Sequence, residues 1–161
     1  LDREEQYATF SVENAMVLDI GSVGGQTVCI AEDRVVVATS GGQVSASYPY
    51  ALPYLREYSL DGDGFAVLAL NRHRAGTSGK LVTVNSSGEA IAELDLNDEI
   101  LDLTAAGRYI AVLYADRLTV YNKDLTEYAT FTQTETAQFA CMRSDGSVWL
   151  ITADTISLLI P

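Results

Sequence analysis

The stretch that decides the fold is "EILDLTAAGRYIAVLYADRLTVYNKDLTEYATF", residues 99–131. Four runs rich in β-branched and aromatic residues cover 99–104, 108–113, 117–122 and 126–131, and each is followed by a short break. The breaks "AAG", "YAD" and "KDL" contain Gly and Asp, which favour tight turns. Short runs of this kind between turn residues predict antiparallel strands. The stretch therefore predicts one four-stranded, up-and-down sheet.

The same order of strands recurs along the chain. Further units cover about 15–48, 54–94 and 137–160, and their third strands begin at Arg34, Lys80 and Thr155, as the third strand of the 99–131 unit begins at Arg117. The repeat is about 40 residues long, a period typical of propellers and related repeat folds. No stretch has the apolar spacing of an amphipathic helix. These observations predict an all-β, propeller-like single domain over residues 1–161, with four repeats of a four-stranded antiparallel blade.

The two ends of the chain complement each other. The last unit stops after three strands, and "YATFSV" (7–12) precedes the first unit; "YATF" also occurs at 128–131, in a fourth strand. We expect strand 7–12 to complete the last blade, because closure removes an unpaired edge. Three assemblies stay open: a complete four-bladed ring, half of a larger propeller whose other half is missing, or two copies in an eight-bladed ring. The start at Leu1 rather than Met favours a trimmed parent, whereas the matched ends favour self-closure.

This pattern of strands and turns resembles a β-propeller of the broad quinoprotein-like or WD-like kind. More loosely, it is similar to a family of propeller-like domains in Gram-positive bacteria that are often displayed behind an N-terminal membrane anchor. The chain has neither a Trp-Asp repeat signature nor a glycine-rich kelch signature. The resemblance therefore implies the fold and no particular site. Together with the acidic composition, it favours a location outside the cytoplasm, with the anchor absent from this chain.

Composition excludes several functions. The net charge is −12, and such a surface repels phosphate backbones and anionic lipid headgroups, so we expect neither nucleic-acid nor membrane-surface binding. No apolar run approaches the ~18 residues that span a bilayer, so we expect no direct membrane insertion. Cys29 and Cys141 each lie in an apolar run, which predicts two buried free thiols rather than a disulfide or a metal site.

One long loop between strands is the candidate contact site. It contains Arg72, His73 and Arg74, and His73 is the only histidine of the chain. Loops on one face of a propeller are common binding surfaces, so these three residues form a candidate partner-contact loop. We expect Asp95, Asp98 and Glu135 nearby as counter-charges. The alternative is a solvated hairpin tip without a function.

No catalytic, metal or cofactor-binding constellation is present in the sequence. Ser78, His73 and Asp61 or Asp63 do not lie on a nucleophile elbow, and "DGDG" (61–64) lacks the later ligands of an EF-hand and reads as a turn. We therefore predict a non-enzymatic interaction or scaffolding module that binds protein, peptide or glycan and uses no cofactor. The alternative is an enzyme or cofactor-binding propeller, quinoprotein- or hydrolase-like, with its site on the loop face; a purely structural spacer is a third possibility.

Overall fold

Four antiparallel sheets follow one another in chain order in this computed structural model, which describes residues 8–132 and 134–161. Sheet 1 contains β1 (Val17–Val23), β2 (Gln26–Ala31), β3 (Arg34–Ala38) and β4 (Val44–Pro49). Sheet 2 contains β5 (Tyr54–Gly62), β6 (Phe65–Asn71), β7 (Gly79–Asn85) and β8 (Ala90–Leu96). Sheet 3 contains β9 (Asp102–Ala106), β10 (Tyr109–Leu113), β11 (Arg117–Asn122) and β12 (Glu127–Thr132). Sheet 4 contains β13 (Phe139–Met142), β14 (Val148–Ile151) and β15 (Ile156–Leu159).

Within each sheet, each strand pairs with the next one in the chain, as an up-and-down sheet requires. The connection between β5 and β6 shows why the turn residues matter. Gly62 ends β5 and Phe65 begins β6, and Gly64 between them has a φ of 77°, which a residue without a Cβ adopts at no steric cost. The prediction that "DGDG" is a turn between the first two strands of its unit is therefore confirmed.

Successive sheets pack face to face. We call the side of a sheet that meets the next sheet its forward face, and the opposite side its rear face. One apolar cluster lies between sheets 1 and 2, another between sheets 2 and 3, and a third between sheets 3 and 4. Sheets 2 and 3 are covered on both faces, so all of β10 and nearly all of β6 is buried. This double burial explains their almost continuous apolar sequences.

The first strands of the sheets lie next to one another. β5 contacts β1 and β9, β9 contacts β13, and Gly62 of β5 forms a parallel bridge with Gly107, which follows β9. Sheets stacked in series with their first strands adjacent form the architecture of a β-propeller. The predicted all-β, propeller-like fold of four repeats is confirmed. Within the described ranges there is no helix, and hence none long and apolar enough to cross a membrane.

The N-terminal segment does not complete the last sheet within this single chain. Among the described residues, sheet 4 has three strands, and 8–12 belong to no strand; Tyr7 of the predicted 7–12 strand lies outside the described residues. Instead, residues 8–12 lie against sheet 1, where Ala8 approaches Gly42. The apolar clusters of the described residues join sheets 1 and 2, 2 and 3, and 3 and 4, and none joins sheet 4 to sheet 1, so the chain shows no closed ring against which this segment could pair with β15.

The two thiols differ in burial. Cys29 is buried in β2, and this burial raises the pKa of its thiol. Cys141 is exposed, which corrects the prediction that both thiols are buried. It lies on the forward face of sheet 4, which has no following sheet to cover it.

Candidate binding site on the loop face

One end of the sheets carries all the connections that were predicted to bind. Because the strands are antiparallel, the turn from the second to the third strand and the connection to the next sheet lie at the same end. We call this end the loop face. Its longest turn between strands is 72–78, between β6 and β7, and all seven of its residues are exposed.

Hydrogen bonds hold the base of this loop. The Arg72 amide donates to the carbonyl of Ser78 over 3.0 Å, which continues the β6–β7 ladder by one step. The Asn71 side-chain amide donates to the carbonyl of Gly76 over 3.1 Å. The loop is therefore an ordered extension of a rigid hairpin at its base, with its tip in solvent.

Arg74 is directed toward sheet 1. The Arg56 guanidinium donates to the carbonyl of Arg74 over 3.0 Å, and the Arg74 guanidinium lies 5.8 Å from the centre of the Tyr54 ring, within the range of a cation–π contact. Arg74 and Tyr54 then line a cleft of about 390 Å³ between sheets 1 and 2. We call it the loop-face cleft; its lining is Leu18, Glu32, Asp33, Pro53, Tyr54, Leu55 and Arg74.

The loop-face cleft combines charges of both signs with apolar surface. Glu32 and Asp33 supply the acidic side, and Arg74 supplies the cation. Asp33 is already paired, since the Arg34 guanidinium lies 2.7 Å from its carboxylate and lowers the pKa of that carboxyl. Among the described residues neither Glu32 nor Arg74 forms an ion pair, and Glu32 accepts only a 3.4 Å hydrogen bond from the Met16 amide, so these are the charged groups of the lining most available to a ligand.

Arg72 lies in a different depression from Arg74. Its neighbours there include Lys80 and Asp95, in a cleft of about 280 Å³. Lys80 is paired with Glu93 at 2.8 Å and with Asp95 at 3.6 Å, and the Glu93 carboxylate raises the pKa of the Lys80 ammonium. The expectation that Asp95 lies near the loop is met.

The other two expected counter-charges lie elsewhere. Asp98 binds Arg117 over 2.6 Å rather than the loop, and Glu135 is exposed on the connection into sheet 4. His73 is exposed at the loop tip between the two arginines. The structure therefore separates the three predicted contact residues into two clefts and a tip.

A repeated feature explains why Arg72 and Arg74 stand out. The third strand of each of the first three sheets carries a basic residue at its first or second position. Each is paired with a carboxylate: Arg34 with Asp33, Lys80 with Glu93, and Arg117 with Asp98. By contrast, neither Arg72 nor Arg74 has a carboxylate within 4.0 Å in the part of the chain that the structure describes. These two guanidinium groups remain available for an anionic ligand group.

The structure does not assemble a nucleophilic triad. Asp61 and Asp63 lie at the β5–β6 turn, where the Asp63 amide donates to Gly107 over 2.7 Å, at the opposite end of sheet 2 from His73 and Ser78. Among the described residues, no three His, Cys, Asp or Glu side chains lie close enough together to hold a metal ion.

Of the residues that line or hold the loop-face cleft, sequence reasoning predicted Arg74 and missed the others, including Glu32, Tyr54 and Arg56. Tyr54 and Arg56 belong to β5 and come close to the 72–78 loop only because β5 and β6 are paired. A search for charged loops alone could not find them. The signal that could have found them is the strand register, which places Tyr54 opposite Asn71, at the base of the loop.

Four up-and-down sheets with adjacent first strands and a loop-face cleft define a propeller-like repeat protein. Neither a protein-family model nor a curated protein matches the sequence. The looser resemblance to the anchored Gram-positive family therefore stays a prediction.

Solved structures share the fold at low identity. The computationally designed Ika4 protein is similar with a TM-score of 0.67 at 10% identity, over 98% of each chain. YCF48 bound to D1 peptide is similar with a TM-score of 0.61 at 17% identity, over 95% of this chain and 52% of that one. BBS1N in complex with ARL6DN has a TM-score of 0.60 at 13% identity, over 94% of this chain and 57% of that one. The present chain thus spans just over half the length of the latter two.

Proposed function

We propose that this chain is a non-enzymatic binding module that takes an extended peptide segment of a partner protein into the loop-face cleft. The observation that carries the proposal is the placement of Arg74: its carbonyl is held by Arg56, its guanidinium lies by Tyr54, and no carboxylate pairs with it. A carboxylate of the peptide would bind this guanidinium, and a basic side chain would bind Glu32 on the acidic side. The apolar lining would accept the intervening residues.

The solved relatives support a protein or peptide ligand in general terms. YCF48 was solved with the D1 peptide and BBS1N with ARL6DN, so propeller folds of this kind bind peptides and proteins. The net charge of −12 also favours partners with basic segments. A glycan is a less good fit, because the cleft offers one ring and charged groups rather than several rings.

The test is selection of peptides from a random display library, followed by binding of synthetic copies to the purified chain. We expect selected peptides to combine a basic and an acidic residue, and Arg74→Ala to weaken their binding about tenfold or more, the size of one lost charged hydrogen bond. The matched control is Arg143→Ala, which removes a partly exposed arginine at the opposite end of the sheets. Its binding should equal that of the wild type.

Two outcomes would contradict the proposal. If no peptide is selected above a scrambled control, the result favours a purely structural spacer. If the Arg74→Ala variant binds the selected peptides as well as the wild type does, the binding site lies outside the loop-face cleft. A separate measurement addresses the enzymatic alternative: elemental analysis and mass spectrometry of the purified chain. A stoichiometric metal or quinone would overturn the non-enzymatic proposal.

A further inference from the structure

The forward face of sheet 4 is an apolar surface without a neighbour among the described residues. It carries the side chains of Trp149, Ile151, Ile156 and Leu158, because Val148 and Leu150 point the other way into the cluster with sheet 3. The matching positions of sheet 3 are Ala111, Leu113, Leu118 and Val120, and all four are fully buried against sheet 4. Ile156 is 68% exposed, whereas Leu118 at the equivalent position is 0% exposed. Sheet 4 therefore has an apolar face on which no other sheet of the described residues packs.

The rear face of sheet 1 is likewise exposed along its first strand, β1. Ile20 of β1 lies opposite Cys29 and is 59% exposed. Its equivalent in sheet 3 is Leu103, which lies opposite Val112 and is 6% exposed because sheet 2 covers it. The rear faces of sheets 2, 3 and 4 are all covered by the sheet before them. Sheet 1 has no preceding sheet among the described residues. Residues 8–12 lie against this face, where Cys29 and Val36 are buried, and only its β1 side, with Val17 and Ile20, stays exposed.

These two faces are of the two kinds that meet in each existing interface, one forward face and one rear face. In all three interfaces, the forward face of one sheet packs on the rear face of the next. The forward face of sheet 4 and the rear face of sheet 1 are therefore a matched pair that this chain does not join to itself. If each of two copies packs its forward face on the rear face of the other, the same contact forms twice and the pair closes into a ring.

We propose that two copies of this chain form one eight-bladed ring, with sheet 4 of each copy packed on sheet 1 of the other. The similar YCF48 and BBS1N chains are nearly twice as long as the part that this chain covers, which leaves room for a second set of four sheets in a propeller. The charge of −12 on each copy opposes association. At physiological ionic strength, however, charges more than about 8 Å apart are largely screened, while burial of large apolar side chains is not weakened by salt.

The N-terminal segment adds a second contact between the copies. "YATF" at 7–10 repeats 128–131, and in β12 the Ala129 and Phe131 side chains pack against the cluster with sheet 4. Phe10 occupies the corresponding place relative to sheet 1, since it lies near Ile20 and Cys29 on the rear face. In the ring, this segment would add to the free side of β15 of the other copy as its fourth strand. By analogy with the pairing of Val120 and Ala129 in sheet 3, Ala8 would lie opposite Leu158.

The first test is the mass of the chain in solution, by light scattering after size exclusion at 0.15 M salt and several protein concentrations. We expect twice the chain mass of 17.4 kDa. Ile156→Asp and Ile20→Asp should each reduce the mass twofold, because each places a charge in the proposed interface. The matched control is Ile91→Asp, an exposed apolar position in the outer strand of sheet 2, which should leave the mass doubled. Circular dichroism checks that each variant keeps its strands.

Mixing distinguishes the ring from other dimers. An equimolar mixture of the Ile156→Asp and Ile20→Asp variants can form a pair with one intact interface, so part of the doubled mass should return. A wild-type chain of single mass would overturn the proposal. So would a dimer that Ile156→Asp abolishes but Ile20→Asp leaves unchanged, because that result means that sheet 4 packs on sheet 4.

A cross-link tests the exchanged strand. In a Cys141→Ser background, the Ala8→Cys, Leu158→Cys double variant should give a covalent dimer on a non-reducing gel, which reductant reverses, because directly opposed strand residues fall within disulfide reach. The Ala8→Cys, Ile91→Cys control should give none. A doubled mass without this cross-link would overturn the strand exchange.

Discussion

Truncation of Leu113 to alanine tests whether the clusters between the sheets stabilise the fold. Leu113 lies in β10, is 0% exposed and belongs to the cluster between sheets 3 and 4. Loss of a fully buried leucine side chain costs about 3 to 5 kcal/mol when the surroundings cannot collapse into the space. Domains of this size are stable by only about 5 to 15 kcal/mol. The variant should therefore lose a large part of the free energy of unfolding.

The assays are urea unfolding, which gives the free energy of unfolding, and thermal unfolding, which gives the melting temperature. Both are followed by circular dichroism and by the fluorescence of Trp149, the only tryptophan. At a fixed protein concentration, we expect the melting temperature of Leu113→Ala to fall by roughly 6 to 20 °C. The matched control is Leu101→Ala, which removes the same atoms from a side chain that is 45% exposed, and should cost less than about 1 kcal/mol. Equal effects of the two substitutions would refute the reasoning, because the sheets would then not depend on this cluster.

Three further predictions concern the second sheet and its loop. Replacement of 72–78 by a two-residue turn should abolish peptide binding but change the free energy of unfolding by only about 1 kcal/mol, the difference in loop-closure entropy. A much larger fall in the free energy of unfolding, measured by denaturant titration, would show that the loop stabilises the fold. Burial, followed by the charge of Asp102, raises the pKa of Glu57 above its ordinary 4.5. The charged Glu57 carboxylate therefore destabilises the fold, and Glu57→Gln should raise the melting temperature at pH 7. This gain should vanish as the pH falls below about 4, where the carboxyl of the wild type is protonated. An unchanged or lower melting temperature of the variant at pH 7 would contradict the prediction. Gly79→Ala should cost about 1 to 3 kcal/mol, because its Cβ would collide with the backbone of the paired strand. A Cβ at Gly41 would meet only the Thr39 hydroxyl, at an ordinary contact distance of 3.8 Å, so Gly41→Ala should be nearly neutral in the same unfolding assay.

Strand positions could be predicted from the sequence because they depend on local residue choice. The expected strands 108–113 and 117–122 correspond closely to β10 (Tyr109–Leu113) and β11 (Arg117–Asn122). Apolar runs of this length with turn residues on both sides leave little freedom in where a hairpin begins and ends. The repeated spacing then gave the number of sheets and their order.

The role of the N-terminal segment could not be predicted in the same way. Its resemblance to 128–131 predicts an outer strand but does not say which sheet, or which copy, it would join, and residues 8–12 form no strand in the structure. The exposure of Cys141 has the same origin, since burial of a sheet face depends on a neighbour that the local sequence does not specify. The loop-face cleft was missed in part because Tyr54 and Arg74 meet only through strand pairing.

The serial contact of the sheets has a consequence for synthesis of the chain. Within each sheet every strand pairs with its neighbour in sequence, and the apolar clusters of the described residues join only consecutive sheets. Each sheet can therefore form soon after its own residues leave the ribosome, and it is stabilised when the following sheet arrives. Until then, the growing chain always displays one bare forward face. We expect this face to be the segment that chaperones bind during translation, and its position to advance by one repeat at a time.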